Sequence, residues 1–563
     1  SGDETSSQVY RTAALWFARH GYLEDAFRHA FASGDFEFAA DMLEDFLMVL
    51  YERYDIASFR RWIHKLPRDV FASRALLRLF DCRFKIESVQ LADVSATLDG
   101  IERRQSEVFA RYEGHKRRLC QDLLLVLKRI LPDWCDPENA EIESLEATLR
   151  QVSPGSRTLS AFWTMVPFSY FYKGRMSLAN DALKQASSDV FASGNRSAIM
   201  VWFRVSATVE RFQGRLHRSE EVLNKAFRYF GRNGLSHPQP RFVLDSQMAW
   251  IHYMRNDIER AHEAALAVLR YLDQTRFLYE IADVNHLLSL ISLARGEADR
   301  MGRCTQRMER AARDIGTPGL IAFTEAHAAR LAIATGDLER ARKWMKRRKV
   351  SITEPFSLRF VTECLADAEL CSAEERHRDA LMVLNNLRGR CLEENMMEAV
   401  FEIDLRLAAS LYAINDRHSA RMVMQGALFF SEPEGYLRPF VERASSISPV
   451  LMDLARTQGK GQSLRSGLHT YLNAVSRSCG ITEADLEAFG EQSESLAGAL
   501  TRREVEILEL MAAGYRDKEI AEKAFISLHT AKTHIKHILE KLGATTRVQA
   551  IRRAEELKNR KNR

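Results

Sequence analysis

The residues best suited to bind a charged partner lie in one segment near the C-terminus. At 3.6 residues per helical turn, five polar side chains would share one helix face, namely His529, Lys532, Thr533, Lys536 and Glu540. The opposite face would be apolar core, made of Ala531, Ile535, Ile538 and Leu542. Long cationic donors without bulky apolar neighbours suit base edges and phosphates in a DNA major groove. The alternative is an ordinary solvated helix face.

The charge of the chain is concentrated in the same region. From position 501 onward there are 15 Lys and Arg against 9 Asp and Glu, whereas the preceding residues carry 66 against 67. The net excess of +5 therefore belongs to the tail. A small basic domain on a near-neutral body favours a polyanionic partner. A frayed, solvated C-terminus is the alternative, since four of these cations lie at positions 558–563.

Other reactive side chains do not assemble into a motif. His534 and His537 are three residues apart, but no cysteine or acidic cluster completes a metal site. His262 and Glu263 begin like a zinc-protease motif, yet Leu266 stands where the second histidine is required. The eight cysteines contain no CxxC pair, which is typical of a reducing, cytoplasmic protein. We expect no catalytic site, metal or cofactor in this chain, and no membrane span.

Four short helices would position the polar face. Apolar spacing predicts a first helix from about 501 that ends near Gly514, and a second over about 518–524. The third helix carries the polar face and the fourth begins near 546. Together they would form a compact domain over 499–563.

The middle of the chain repeats with a period near 40. Seven turn markers are spaced 39 to 42 residues apart, and each precedes small or apolar residues at the fifth and eighth following positions: Gly174, Gly214, Asn256, Gly296, Gly336, Glu375 and Asn415. Helix, turn and helix at this period predict an all-α protein built as an α-solenoid of TPR-like hairpins. We therefore expect an irregular helical region over 1–150, the repeats over 151–455 and a linker over 456–498.

The tail resembles the LuxR-type helix-turn-helix. The similarity extends in register over 500–508, 514–515, 518–521, 526–527, 530–535, 541–543 and Arg547. One departure is Arg516-Asp517 in place of the usual Ser-Asn, so Asp517 is expected to cap the second helix. A second is Ala531 where Val or Ile is common, which removes core volume.

This resemblance implies DNA contacts. The family's contact positions fall on six residues, which are Lys532, Thr533, Lys536, Thr530, His534 and Lys518. The first three occupy base-reading positions, the next two approach phosphate, and the last adds a backbone contact. The fourth helix is expected to form a dimer contact on DNA.

The whole chain is similar to the large MalT-type subgroup, in which an ATPase module, helical repeats and a LuxR-type domain follow in order. Residues 11–40 and 431–440 support this similarity. The phosphate-binding GxxxxGK[ST] loop of the ATPase does not occur. We therefore expect that module, and any ATP, upstream of this chain.

The resemblance implies a transcription regulator, and it favours an activator. The expected partners are double-stranded promoter DNA, RNA polymerase, a second copy on DNA, and a small-molecule or protein effector on the repeats. The alternative is a helical-repeat adaptor that has no specific DNA binding.

Overall fold

Every regular element in the described part of the chain is helical. The computed structural model describes residues 2–52, 56–87, 91, 93–135, 141–152, 159–232, 241–275, 278–348, 351, 353–458, 466–482, 484–485, 500, 502–524, 526, 528–542, 544 and 546–559. No strand occurs among these residues. The prediction of an all-α protein is confirmed.

Among its described residues, the N-terminal region contains ten helices that lack a regular repeat. They are α1 (Gly2–Arg19), α2 (Leu23–Ala32), α3 (Phe36–Glu52), α4 (Ile56–Ile63), α5 (Arg68–Ser73), α6 (Ala75–Glu87), α7 (Val94–Arg103), α8 (Gln105–Val108), α9 (Gly114–Cys135) and α10 (Ile142–Gln151). A 3-10 turn, Ser160–Thr164, follows. Arg74 is almost fully buried here and pairs with Glu37 at 2.5 Å and with Asp41.

Paired helices of 8 to 18 residues make up the repeats. They are α11 (Met165–Tyr172), α12 (Met176–Ala192), α13 (Arg196–Phe212), α14 (Leu216–Arg232), α15 (Arg241–Met254), α16 (Ile258–Thr275), α17 (Leu278–Ala294), α18 (Ala298–Ile315), α19 (Pro318–Ala334), α20 (Leu338–Arg348), α21 (Leu358–Ala373), α22 (His377–Glu393), α23 (Met397–Ala413) and α24 (Arg417–Ser431). Beyond them lie α25 (Arg438–Glu442), α26 (Ala444–Gln458) and α27 (Ser466–Ser478). Helix α27 falls inside the predicted linker, much of which lies outside the described residues.

Each of the seven predicted turn markers lies between the two helices of one hairpin. All seven have positive φ, from 61° at Glu375 to 84° at Gly336. In every case the next residue donates its backbone N–H to the carbonyl five residues earlier, as Asp416 does to Leu411 at 2.9 Å. This bond is the Schellman helix ending, which requires a left-handed residue at the marker. The residue type that recurs with a period near 40 is therefore explained by the backbone geometry of the turn.

Small side chains follow the markers because paired helices must approach closely. Five residues after the marker, the side chain is buried at Ala179, Ser219, Ala261, Ala341, Ala380 and Ala420. Ser219 is the polar exception, and its hydroxyl donates to the carbonyl of Ala207 at 2.7 Å. A buried hydroxyl is tolerated when it is paired in this way.

The chain divides into two compact units. The first comprises Ser1–Tyr253, Asp257–Ala328 and Pro355–Thr362, and it holds the N-terminal region and the first four hairpins apart from 254–256. The second comprises Met254–Asn256, Ala329–Glu354 and Glu363–Arg563, and it holds the last hairpins and the basic tail. None of the described helices is both long enough and apolar enough to cross a bilayer.

Candidate nucleic-acid interface

Four helices form a small apolar core in the basic tail. They are α28 (Arg502–Ala512), α29 (Asp517–Lys523), α30 (Leu528–Lys541) and α31 (Arg547–Asn559). The buried side chains include Ala531, Ile535, Ile538 and Leu542, as predicted, together with Leu508, Ile520, Ala521, Ala524, Ala550 and Ala554. Leu500, Ile507, Leu510 and Met511 complete the core. Helix α30 therefore has one apolar side fixed against its neighbours.

The turn into α29 differs from the expectation. Gly514 has a φ of 85° and ends α28, as predicted. Asp517 is the first residue of α29, and Arg516 occupies the N-cap position instead. The carboxylate of Asp517 pairs with Arg547 at 2.5 Å. The backbone N–H of Arg516 instead donates to the carboxylate of Glu519 at 2.7 Å. An acidic residue one turn inside the helix thus does the capping.

The predicted base-reading residues lie on the exposed side of α30. Lys532, Thr533 and Lys536 are all exposed, on the side opposite Ala531 and Ile535 in the core. The side chains of His529 and Glu540, predicted for the same face, lie outside the described residues. The first turn of α30 also presents the positive end of the helix dipole. This face can donate hydrogen bonds to a polyanion without disturbing the core.

The other predicted contacts flank this face. Thr530 and His534 are half-buried on α30, one helical turn apart from each other. Lys518 is exposed on α29, the helix that precedes α30. The structure thus brings five of the six residues onto α30 and the sixth onto its partner helix. Their roles in binding DNA stay predictions.

Three arginines of the tail hold the domain together, a use that the sequence did not reveal. Arg503 donates to the carbonyl of Ala524 and pairs with Glu506 at 2.6 Å. Arg547 donates to the carbonyl of Tyr515 at 3.1 Å, and Arg553 to that of Leu542 at 3.0 Å. Arg503 and Arg553 bind carbonyls at the ends of α29 and α30, where backbone carbonyls lack helical partners, and Arg547 binds one in the turn after α28.

His534 and His537 lie three residues apart on α30. Within the described ranges, no three side chains among His, Cys, Asp and Glu come together as a metal ion would require.

A second polar cluster lies in the repeats, in the first compact unit. Arg204 pairs with Glu280 at 3.1 Å, and the indole N–H of Trp250 donates to Asp283 at 3.2 Å. Burial raises the pKa of Glu280, and Arg204 opposes that shift. Burial also raises the pKa of Asp283, opposed first by Arg211. Two carboxyl groups one helical turn apart are thus held away from bulk water.

Aromatic rings surround these carboxyl groups. The rings of Tyr172 and Tyr279 are 6.1 Å apart, and those of Trp250 and His286 are 5.2 Å apart. His286 also contacts His327, with ring centroids 3.8 Å apart. All of these side chains come from the first helix of a hairpin, α11, α15, α17 or α19. They therefore lie on one side of the repeats. For Tyr172, core packing was the expectation, and its side chain is half-buried.

Two family descriptions match the chain. Residues 151–457 match the family described as the MalT-like TPR region. Residues 498–554 match the bacterial regulatory proteins of the luxR family. The expectation of a TPR-like repeat region followed by a LuxR-type domain is confirmed.

Curated relatives align over nearly the whole chain. The HTH-type transcriptional regulator MalT of Serratia proteamaculans is 22% identical over 98% of this chain and 61% of its own length. The regulator of the same name from Vibrio campbellii is 21% identical over 98% of this chain and 62% of its own length. The chain thus spans about three fifths of the length of these relatives.

A solved structure also aligns with the chain. It is a Rap protein complexed with competence and sporulation factor, 11% identical, with a TM-score of 0.44 over 64% of this chain and 98% of that chain. That score is too low to define the fold. The match to the repeat region covers more than half of the 563 residues. The chain belongs to the MalT-like family of helical-repeat proteins and carries a C-terminal domain of the luxR family.

Proposed function

We propose that the chain is a sequence-specific DNA-binding regulator of transcription that acts in the cytoplasm as an activator. The observation that carries this proposal is the exposed face of Lys532, Thr533 and Lys536 on a helix whose other side is core. The partner is double-stranded promoter DNA. RNA polymerase and a second copy on DNA are further partners, and the exposure of Val548 on α31, 76%, favours a contact there between copies.

The proposed binding mode follows from α30. Its exposed face enters the major groove, where Lys532 and Lys536 donate to base edges. Thr530, His534 and Lys518 lie nearer the phosphates and fix the register. Because phosphate contacts release counterions, affinity should fall steeply with salt. No catalytic step and no cofactor are part of this proposal.

Capture of genomic fragments tests the proposal. The full chain and its Lys532→Ala/Lys536→Ala variant are each mixed with sheared DNA, and the retained fragments are sequenced. The matched control is Lys343→Ala/Lys346→Ala, which removes two exposed cations from α20. We expect the wild type and the control to enrich the same few promoters and the α30 variant to lose them.

Two outcomes would contradict the proposal. If the α30 variant still enriched the same promoters, a surface other than the exposed face of α30 would have to read the DNA sequence. Uniform or absent retention by the wild type would favour the adaptor function, in which the tail is only another helical pair.

We also infer that the repeats receive an effector, either a small molecule or a protein. Support comes from the cluster around Glu280 and Asp283. Packing between neighbouring hairpins needs only apolar side chains, and burying polar groups costs free energy, so these carboxyl groups suggest a further role. Ligand sites typically combine aromatic and apolar walls with a few polar groups that fix the orientation of the ligand. A thermal-shift screen of small molecules and peptides should find stabilising compounds whose effect is lost in Asp283→Asn. An effect that is equal in both proteins would exclude this cluster.

A further inference from the structure

The second helix of the last hairpin, α24, contacts the DNA-binding domain. Asp416 precedes α24 and accepts a hydrogen bond from the backbone N–H of Ser419 at 3.2 Å, so it caps the helix. Its other carboxylate oxygen accepts a hydrogen bond from the hydroxyl of Tyr515 at 2.7 Å. Asp416 is 4% exposed. One buried carboxylate thus serves the repeats and the DNA-binding domain together.

An ion pair lies beside this hydrogen bond. The guanidinium of Arg417 is 3.3 Å from the carboxylate of Glu509 on α28. Both side chains are largely buried, with 16% and 22% exposure. A pair that is shielded from water is screened less by salt than a surface pair. The two contacts join consecutive residues of the repeats to two places on one side of the domain.

The domain itself holds Tyr515 in position. The carbonyl of Tyr515 accepts from Arg547, and the ammonium of Lys523 lies 4.4 Å from the centre of its ring. Its backbone N–H donates to the carbonyl of Leu510 at 3.2 Å. Burial raises the pKa of the Tyr515 hydroxyl, and the hydrogen bond to Asp416 raises it further. The hydroxyl is therefore presented on a rigid turn and is bound as a donor.

These contacts leave the predicted reading face open. Tyr515 and Glu509 belong to α28 and the turn after it, whereas Lys532 and Lys536 on α30 are exposed with both contacts in place. The contacts therefore do not occlude the face. Because they are polar, they resemble the interfaces at which domains move relative to each other.

We propose that Asp416–Tyr515 and Arg417–Glu509 form an intramolecular latch that fixes the DNA-binding domain on the last hairpin with its reading face open. Closed, the latch transmits the packing of the repeats to the orientation of α30. Open, it removes both of these contacts between the domain and the last hairpin. The link to DNA rests on the function proposed above, whereas the latch itself does not.

Hydrogen exchange of the full chain without DNA tests the latch. Three variants are compared: Tyr515→Phe, which removes only the hydroxyl, Arg417→Glu, and the swap Arg417→Glu/Glu509→Arg. In the two single-position variants we expect exchange in 416–424 and 503–515 to rise by about threefold or more, because local opening becomes easier. The swap should bring the rates back towards wild type, since it restores an opposite-charge pair.

Matched controls separate the latch from general loss of structure. Tyr22→Phe removes an exposed hydroxyl and Arg378→Glu reverses an exposed charge on the preceding hairpin. Neither should change exchange in 416–424 or 503–515. Exchange in the rest of the repeats, together with circular dichroism, shows whether a variant is folded.

The outcomes are distinct. Unchanged hydrogen exchange in both Tyr515→Phe and Arg417→Glu would overturn the latch. It would also be overturned if the exchange rates of Arg417→Glu/Glu509→Arg were no closer to wild type than those of Arg417→Glu. Loss of DNA retention in Lys532→Ala/Lys536→Ala with wild-type exchange in 503–515 supports two independent surfaces. If the wild type retains no DNA but its exchange responds to the latch variants, the proposed function fails and the latch stands.

Discussion

Lys518 and Lys532 are both exposed cations of the DNA-binding domain, but they lie on different helices. A lysine that contacts only phosphate strengthens binding to every sequence, whereas one that reads a base discriminates. The two roles therefore predict different results on substitution, although each change removes one charge.

For Lys518→Ala we expect weaker binding to promoter and random DNA by the same factor, with the slope of log affinity against log salt reduced by about 0.9. For Lys532→Ala we expect a loss of about 1–3 kcal/mol on promoter DNA and relaxed preference at one base pair. Fluorescence anisotropy over a salt series measures both. Equal effects of Lys532→Ala on promoter and random DNA would contradict base reading.

Sequence reasoning located the polar face of α30 because that face follows a local period. The structural use of Arg503 and Arg547 was not foreseen, since their partners Ala524 and Asp517 are 21 and 30 residues away. A charge count treats all cations of the tail alike. Only the packing of α28 against α30 and α31 separates those that close helix ends from those that face solvent.

The turns between paired helices show what a recurring residue type encodes. Gly and Asn at six markers favour positive φ, and Glu375 adopts it as well, with a φ of 61°. A second series of left-handed residues, including Gly194, Gly316 and Asn395, joins successive hairpins. It was missed from the sequence because the loops between hairpins vary more in length than the turns within them.

Glu375 is strained relative to glycine, because a side chain at positive φ crowds the following carbonyl. Its side chain is exposed. We expect Glu375→Gly to raise the free energy of unfolding by about 1 kcal/mol. Glu263→Gly, at an exposed position within α16, should instead lower it by about 1 kcal/mol. Urea unfolding measures both, and a loss of stability in Glu375→Gly would refute the strain.

The junction between α24 and the DNA-binding domain contains a half-buried histidine, His418. Burial lowers its pKa and Arg421 lowers it further, whereas Glu506 and Asp416 act in the opposite direction. Lys523 on α29 also lowers the pKa. The folded junction therefore favours neutral His418, and its stabilisation is complete above the unfolded pKa of about 6.5.

As the pH falls below about 6.5, His418 is protonated first in the unfolded or open chain. The closed junction therefore loses stability as the pH falls, until the pH is below the lowered pKa of His418 in the folded protein. We expect hydrogen exchange in 503–515, corrected for intrinsic rates, to rise as the pH is lowered from neutral. In His418→Gln, which cannot titrate, the rise should be smaller. The same pH dependence in both proteins would assign it to another group.

At the scale of the molecule, the second compact unit is tied together by buried ion pairs. One carboxylate oxygen of Glu369 accepts hydrogen bonds from Arg406 and Arg443, each at 2.5 Å, and from Arg330 at 3.2 Å. Glu402 also pairs with Arg330, at 3.1 Å. The three arginines lie 37 to 74 residues from Glu369. The sequence therefore predicted the hairpins, but not the ion pairs that connect one hairpin to another.

Glu369 carries the strongest stability prediction. Its side chain is 6% exposed, and the three arginines hold its pKa well below the ordinary value despite burial. Its stabilisation is therefore present above the ordinary glutamate pKa and is lost only as the pH falls through the lowered one. Above that range we expect Glu369→Gln to cost about 3–5 kcal/mol, because the buried Arg406 and the half-buried Arg330 and Arg443 lose their common partner.

Urea unfolding of the full chain measures this loss, with Glu393→Gln at an exposed position of α22 as control. The control should stay within about 0.5 kcal/mol of wild type. Because Glu369 lies in the second unit, the variant should lower the transition of that unit and leave the first unchanged where two transitions are resolved. A loss below about 1 kcal/mol would mean that water or Glu402 replaces the missing charge, and the network would then not fix the packing of the last hairpins.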